Sequence, residues 1–451
     1  MTRQLHLGLF IYPGGHHIAG WRHPSVQAAG LTSLDYYRTQ IQWAERGKFD
    51  LFFVGDTLFT REKDGRFFGR QATSNPDPVS LISTLSAVTE RIGLVATLST
   101  TYHEPYAVAS KFGTLDHLSG GRAGWNVVTT WEDKAALNFS RSKAMEKADR
   151  YVRGREFIDA CTALWDSWDD AAVLQDRASG RFLDPALIRP VEHRSDSFSV
   201  RGPLRQPRPP QGWPVLVQAG GSPPGREFAA MVAEAIFTAQ TRLSEAKEFR
   251  SSTHARMAKY GRRADEVVIM PGLSPLLGST EAEALRLEEE IGDLVHPEVG
   301  IWMLSENLNF PLYDYDPSER LPVELIRSAK KPTANADTLL SEAERRGLTI
   351  DGAARFIARS RSHQNFVGTP EQLADLMQRW LDEGGCDGFN VMPPYFPDQL
   401  QVFVEQVVPL LQRRGIFRQD YSGTTLREHL GIGRPSAGQF QRMLARAAAA
   451  A

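Results

Sequence analysis

The 451-residue sequence predicts an α/β protein built as a parallel (β/α)8 barrel, a TIM barrel carrying insertion segments. Three observations carry that prediction. Short apolar runs bounded by turn residues recur along the chain, a stretch of helical periodicity follows each of them, and there are eight such units. A parallel sheet covered on both faces requires runs of this kind, apolar throughout instead of alternating. An open doubly wound sheet is the competing arrangement.

Leu5 to Tyr12 reads as the first strand and Ser33 to Arg46 as its helix, with Leu34, Tyr37, Ile41 and Ala44 on one face. Leu51 to Val54 is the second strand, closed by Gly55-Asp56, and Pro78 to Arg91 is its helix. The third strand, Ile92 to Ser99, is followed by the helix Ala107 to Leu118 and the turn Ser119-Gly120-Gly121-Arg122. Ala123 to Thr129 is the fourth strand, and a long helix runs from about Lys143 to Trp168. The pattern lapses through a Pro-, Arg- and Asp-rich stretch up to Trp213. Strands five, six and seven are Pro214 to Gln218, Ala235 to Ala239 and Val267 to Leu273, with helices Arg226 to Glu234, Ser244 to Tyr260 and Thr280 to Ile291. After a second irregular stretch come the helix Pro370 to Glu383, strand eight at Gly388 to Met392, and a closing helix from Leu400 to Arg413. The chain thus reads as one barrel domain over residues 1–451, with insertions at about 170–212 and 295–365 and a tail at about 415–451 too short to be a domain.

Lys and Arg number 52 against 54 Asp and Glu, so the chain lacks the basic excess that a phosphate backbone or an anionic bilayer attracts. Neither nucleic acid nor a membrane is an expected partner. The two cysteines, Cys161 and Cys386, lie far apart and outside any ligand spacing, and the start of the chain has no basic and apolar leader. The expected location is the cytoplasm.

In such a barrel the chemistry sits at the C-terminal ends of the strands. Those ends supply Tyr12 with Gly14-Gly15-His16-His17, then Asp56, Thr97 with Ser99, Asn126 with Thr129 and Thr130, Gln218 with Gly220-Gly221-Ser222, and Gln240. This rim of hydroxyls and amides, with one carboxylate, suits hydrogen bonding to a polar heterocycle better than hydrolysis or metal binding. His16 and His17 are adjacent on an extended segment and point apart, so no metal site is expected. Ser222 stands at an N-cap position with Pro223 at the first helical position, which makes either a phosphate seat or an ordinary cap. The segment is neither a Walker loop nor GxGxxG, and Gly431-Ile432-Gly433 in the tail has no strand before it. Arg150-Tyr151, near the start of the long helix, is either a surface pair or a cation and a phenol aimed at an anion.

Longer motifs narrow the field. Lys48-Phe49-Asp50 with Asp56, Thr89-Glu90-Arg91-Ile92-Gly93-Leu94, Thr97-Leu98-Ser99-Thr100-Thr101 and Leu115-Asp116-His117-Leu118-Ser119-Gly120-Gly121-Arg122 resemble the bacterial-luciferase-like flavin monooxygenases. Asn138-Phe139, Arg150-Tyr151, Gly202-Pro203-Leu204, Val367-Gly368-Thr369-Pro370, Asp387-Gly388-Phe389-Asn390 and Leu426-Arg427-Glu428-His429-Leu430-Gly431 resemble, within them, the branch of nitrilotriacetate/EDTA monooxygenase and dibenzothiophene-sulfone monooxygenase. The resemblance spans nearly the whole chain.

It implies a luciferase-like barrel that takes reduced FMN (FMNH2) from a separate NAD(P)H:flavin reductase, reacts it with O2, and oxygenates a small organic substrate through a flavin peroxide. By motif position, Asp56, Thr97, Asn126 and Thr129 would contact the isoalloxazine or the ribityl chain, and Arg150, Tyr151 and Ser222 with Gly220 and Gly221 would hold the phosphate. Lys147 stands where the family usually has a histidine, and Gly221 where a serine is common. Phe10, Phe53, Trp131 and Phe237, at strand mouths, are candidates for a dry substrate wall, with core packing as the alternative. His16 or His17 is the candidate for contacting the substrate or the oxidant. The resemblance favours a homodimer or homotetramer, and the stretch 295–365 is a candidate lid. A deazaflavin-dependent oxidoreductase and a non-catalytic flavin-binding protein are the alternatives.

Overall fold

Eight strands close the barrel: β1 (His6–Ile11), β2 (Leu51–Val54), β3 (Gly93–Ser99), β4 (Ala123–Val128), β5 (Val215–Gln218), β6 (Ala235–Thr238), β7 (Val268–Leu277) and β8 (Gly388–Val391). In this computed structural model, which describes residues 3–449 except 61, 64, 65, 68, 71, 73, 74, 330–333, 361 and 362, each strand pairs in parallel with the next. β8 closes on β1 with His6 opposite Gly388. Residues of β2, β3, β5, β6, β7 and β8 are buried throughout, which is why they read as unbroken apolar runs.

Around the ring stand α1 (Leu34–Arg46), α2 (Pro78–Leu85), α3 (Pro105–Leu118), α4 (Lys147–Trp165), α5 (Pro223–Val232), α6 (Leu243–Ala258) and α7 (Glu281–Asp293), and further on the helix Pro370–Asp382. Two of these are shorter than expected. α2 passes into a 3-10 turn at Ser86–Val88 instead of continuing to Arg91, because the buried Arg122 guanidinium donates to the carbonyls of Ser86, Thr89 and Ile92 and so satisfies the chain end. α4 begins at Lys147.

The stretch read as irregular between 295 and 365 is instead helical, with helices Pro297–Leu308, Val323–Ala329, Ala334–Arg346 and Ile350–Ser360 gathered around a core of their own that includes Trp302, Leu304, Leu340 and Ile357. It joins the barrel through Ile18 and Ala19 of the loop after β1, which belong to the same core, and the Ile18 amide donates to the Ala358 carbonyl. Its final residues also depart from expectation. Gln364–Gly368 is a ninth strand, parallel to the distal half of β7 and outside the ring, and β7 runs on to Leu277 to meet it. The earlier insertion carries two small hairpins, Val173–Asp176 with Arg181–Leu183 and His193–Arg194 with Ser199–Val200.

The tail closes the end of the barrel where the strands begin. Leu426, Leu430 and Ile432 pack with Leu51, Val95 and Val215 in the barrel interior, and Leu426 reaches so far between β3 and β4 that a Cβ on Gly93 would stand 2.5 Å from its Cδ1. Arg427, buried beside it, donates to both carboxylate oxygens of Glu234 at 2.6 and 2.8 Å and to the carbonyls of Gln211, Trp213 and Gly433. No helix among the described residues is long and apolar enough to cross a membrane.

Candidate active site

With one end plugged, the other is open. The loops following β2, β4 and β5 enclose a cavity of about 570 Å³ whose wall includes Asp56, Thr129, Trp131, Lys147, Arg150, Tyr151, Gly220, Gly221 and Ser222. Thr57, Leu58, Phe59 and Glu132 complete it beside the strand-end residues Ser99, Thr130 and Gln218.

One end of this cavity is built for an anion. Ser222 caps α5, its hydroxyl accepting from the Gly225 amide at 3.3 Å, and because Pro223 and Pro224 contribute no amide N–H, the helix offers this space the positive end of its dipole and the Ser222 hydroxyl. The first turn of α4 comes alongside and sets the Tyr151 hydroxyl 3.4 Å from the Ser222 hydroxyl. A Cβ on Gly225 would stand 3.0 Å from that Tyr151 oxygen, so glycine keeps the two hydroxyls accessible to each other. Arg150 donates through Nη1 to the Met145 carbonyl, while its Nε is buried and has no partner. The Lys147 ammonium, also on the wall, pairs with none of the described residues. Arg226 takes no part, its Nε donating to the Gly221 carbonyl.

Unmet acceptors lie on the cavity wall at Gln218 and off it at Asn126, which like Thr97 is not among the wall residues. Asn126 donates to the Thr97 hydroxyl at 2.9 Å, which donates to the Val54 carbonyl at 2.8 Å, leaving Asn126 Oδ1 buried with no partner. Gln218 Oε1 is in the same condition. Buried acceptors left unpaired cost on the order of 1–3 kcal/mol each, and a ligand N–H removes that cost. The residues present therefore fit a ligand with a phosphate at one end and a hydrogen-bonding heterocycle at the other, as FMN has. Asp56 adds a titratable group. Burial pushes its carboxyl up to about 6, the charge of Asp77 adds to that, and the hydrogen bond from Thr57 opposes it.

The remaining expected residues, apart from Trp131, are not on this wall. Phe10, Phe53 and Phe237 form an aromatic cluster within the barrel mouth, with centroids 4.8 Å apart for Phe10 and Phe53 and 5.5 Å for Phe10 and Phe237. Trp131 is on the cavity wall but 66% exposed, so it does not keep the site dry. His16 is buried against the Phe10 ring and donates from Nε2 to the Phe10 carbonyl. His17 is buried too, and its Nδ1 accepts from the Ala19 amide. Sequence reasoning missed His363, stacked on Phe237 at 4.9 Å, because it stands at the joint between the helical insertion and the ninth strand.

The model of the family described as luciferase-like monooxygenase matches residues 15–388. The chain belongs to the luciferase-like monooxygenase family. Relatives of this luciferase-like monooxygenase include N-acetyl-S-(2-succino)cysteine monooxygenase of Bacillus subtilis, 45% identical over 96% of this chain and 98% of that protein. Nitrilotriacetate monooxygenase component A of Aminobacter aminovorans is 42% identical over 96% and 98%. Dibenzothiophene-sulfone monooxygenase of Rhodococcus erythropolis is 39% identical over 95% and 97%. Among solved structures, riboflavin lyase (RcaE) with modified FMN and riboflavin superposes with a TM-score of 0.84 at 30% identity, over 98% of this chain and 99% of that one. The monooxygenase barrel and its branch are thus those that the motifs indicated.

Proposed function

We propose that this protein is the oxygenase component of a two-component system, binding FMN reduced by a separate NAD(P)H:flavin reductase and using O2 to oxygenate a small organic substrate. The observation that carries the reading is the anion seat, where Arg150 shares the cavity wall with Tyr151 and Ser222, whose hydroxyls stand 3.4 Å apart at the start of α5. In this reading Arg150, Lys147 and Ser222 bind the phosphate, and Asn126 and Gln218 orient the ring system by accepting its N–H groups. Reduced FMN supplies the two electrons with which one oxygen atom of O2 enters the substrate and the other leaves as water. The carboxyl of Asp56, raised to about 6, takes up and releases a proton at the wall of the cavity just below neutral pH. His16 is a positioning residue, fixing Phe10 from behind.

The test mixes the protein with anaerobically reduced FMN and then with oxygenated buffer, following flavin absorbance. A return of oxidised FMN that lags well behind free FMN in solution is the expected outcome. Return at the free-solution rate, with FMN demonstrably bound, overturns the proposal.

A further inference from the structure

The end of the barrel that the tail closes has a cavity of its own. It measures about 490 Å³, shares no wall residue with the candidate active site, and lies between the segments leading into β5, β6 and β7 and the tail beyond Leu430. Its wall carries five arginines, Arg262, Arg263, Arg434, Arg442 and Arg446, against two carboxylates, Glu234 and Glu266. This positive excess is local, since the whole chain has a formal net charge of -2. Most of these charges are already matched. Glu234 accepts from Arg427, Arg263 pairs with Asp265 and Glu266, and Arg434 donates to both oxygens of Asp170 at 2.7 and 2.8 Å. Arg262 donates to the carbonyls of Ala230, Ala233 and Glu266. Arg442 and Arg446 are left over.

Arg442 donates only to the Ala437 carbonyl and the Ser436 hydroxyl, and neither it nor Arg446 pairs with a carboxylate among the described residues. The two stand one turn apart on the terminal helix Gln439–Ala449, and with Gln439 and Met443 they make up the stripe of that helix that lines the cavity. Like charges at this spacing repel, and an anion between them removes the repulsion. Trp213, buried on the same wall, has an indole Nε1 with no acceptor. We infer that this cavity binds a small polyanion of the size of pyrophosphate, held by the Arg442 and Arg446 guanidinia, whose planar forks match phosphate oxygens. A free polyphosphate and the phosphates of a nucleotide offer it the same chemistry. The ligand would tie the terminal helix to the turn at Gly261-Arg262-Arg263, whatever the active-site cavity binds.

The test is a calorimetric titration of the full chain with pyrophosphate at fixed ionic strength, with and without excess FMN. The expected result is one pyrophosphate per chain, with an affinity changed less than twofold by FMN and at least tenfold weaker in the double variant Arg442→Gln/Arg446→Gln. Hydrogen exchange with mass spectrometry locates the site without any variant. Pyrophosphate should slow exchange in peptides from 432–446 and leave the loops after β2, β4 and β5 unchanged. No binding, displacement by FMN, equal binding by the folded double variant, or protection confined to those loops overturns the inference. ADP in place of pyrophosphate then names the source: binding tenfold tighter marks a nucleotide, and equal or weaker binding marks a free polyanion.

Discussion

Asp56 and Arg150 are charged side chains on one cavity wall whose replacement has different consequences. Folding raises the Asp56 carboxyl to about 6, above its unfolded value, so the ionised form is the one that the folded protein disfavours. That penalty is present in full above about pH 6 and fades as the pH falls toward 4. Asp56→Asn should therefore stabilise the protein at pH 8 by on the order of 1 kcal/mol, after allowance for partial exposure, and by nothing near pH 4. Urea unfolding at the two pH values checks the sign. For Arg150 the distinguishing ligand is riboflavin, which lacks the phosphate. Arg150→Met should weaken FMN binding by roughly tenfold to a hundredfold, the loss of a charge-assisted hydrogen bond, and leave riboflavin binding as it was. Equal loss for both ligands in a fluorescence titration would show that Arg150 does not hold the phosphate.

At the level of elements, the N-terminus of α5 has two jobs on one hydroxyl. Ser222→Ala should cost about 1 kcal/mol of stability as a lost cap and also weaken FMN binding, whereas Ser222→Asp should restore the cap while repelling the phosphate. Thermal melts and FMN titrations of the two variants separate the roles. This cap was legible in the sequence because Ser-Pro-Pro after a glycine pair is a local signal, needing no tertiary partner. The barrel strands were legible for the opposite reason, since burial on both faces leaves only apolar runs. Gln364–Gly368 was not, because it lies outside the ring and its middle residues are only partly buried. Nor were the helices after Val295, short segments whose apolar faces meet one another across Pro311, Pro317 and Pro322 instead of meeting the barrel. The site divides in the same way. Lys147, Arg150 and Tyr151 follow from one helical turn, while His363 meets Phe237 only because the chain returns from the helical insertion to the barrel mouth.

For the whole molecule, the two ends of the barrel are held by different means. The helical insertion has a separate core and is tied to the barrel in part by surface ion pairs such as Arg355–Asp293 and Arg242–Glu342, so its amides should exchange with solvent well before those of β3 and β4, as hydrogen exchange with mass spectrometry would show. The tail is the reverse case. Leu426→Ala removes a side chain that fills the barrel interior and should cost about 2–5 kcal/mol, and Arg427→Met takes two charge-assisted hydrogen bonds from the half-buried Glu234 carboxylate, which keeps that from the Leu216 amide, for about 1.5–3 kcal/mol. Urea unfolding of each variant at pH 7 measures both. A further consequence concerns the order in which the chain is made. The eighth strand leaves the ribosome at Val391 while Leu426 and Arg427 are still held behind it, so a nascent chain can pair every strand of its ring while the end that the tail fills still lies open to water. Apolar surface of that kind is what a chaperone reads, and the short helix Leu426–His429 is the segment that covers it.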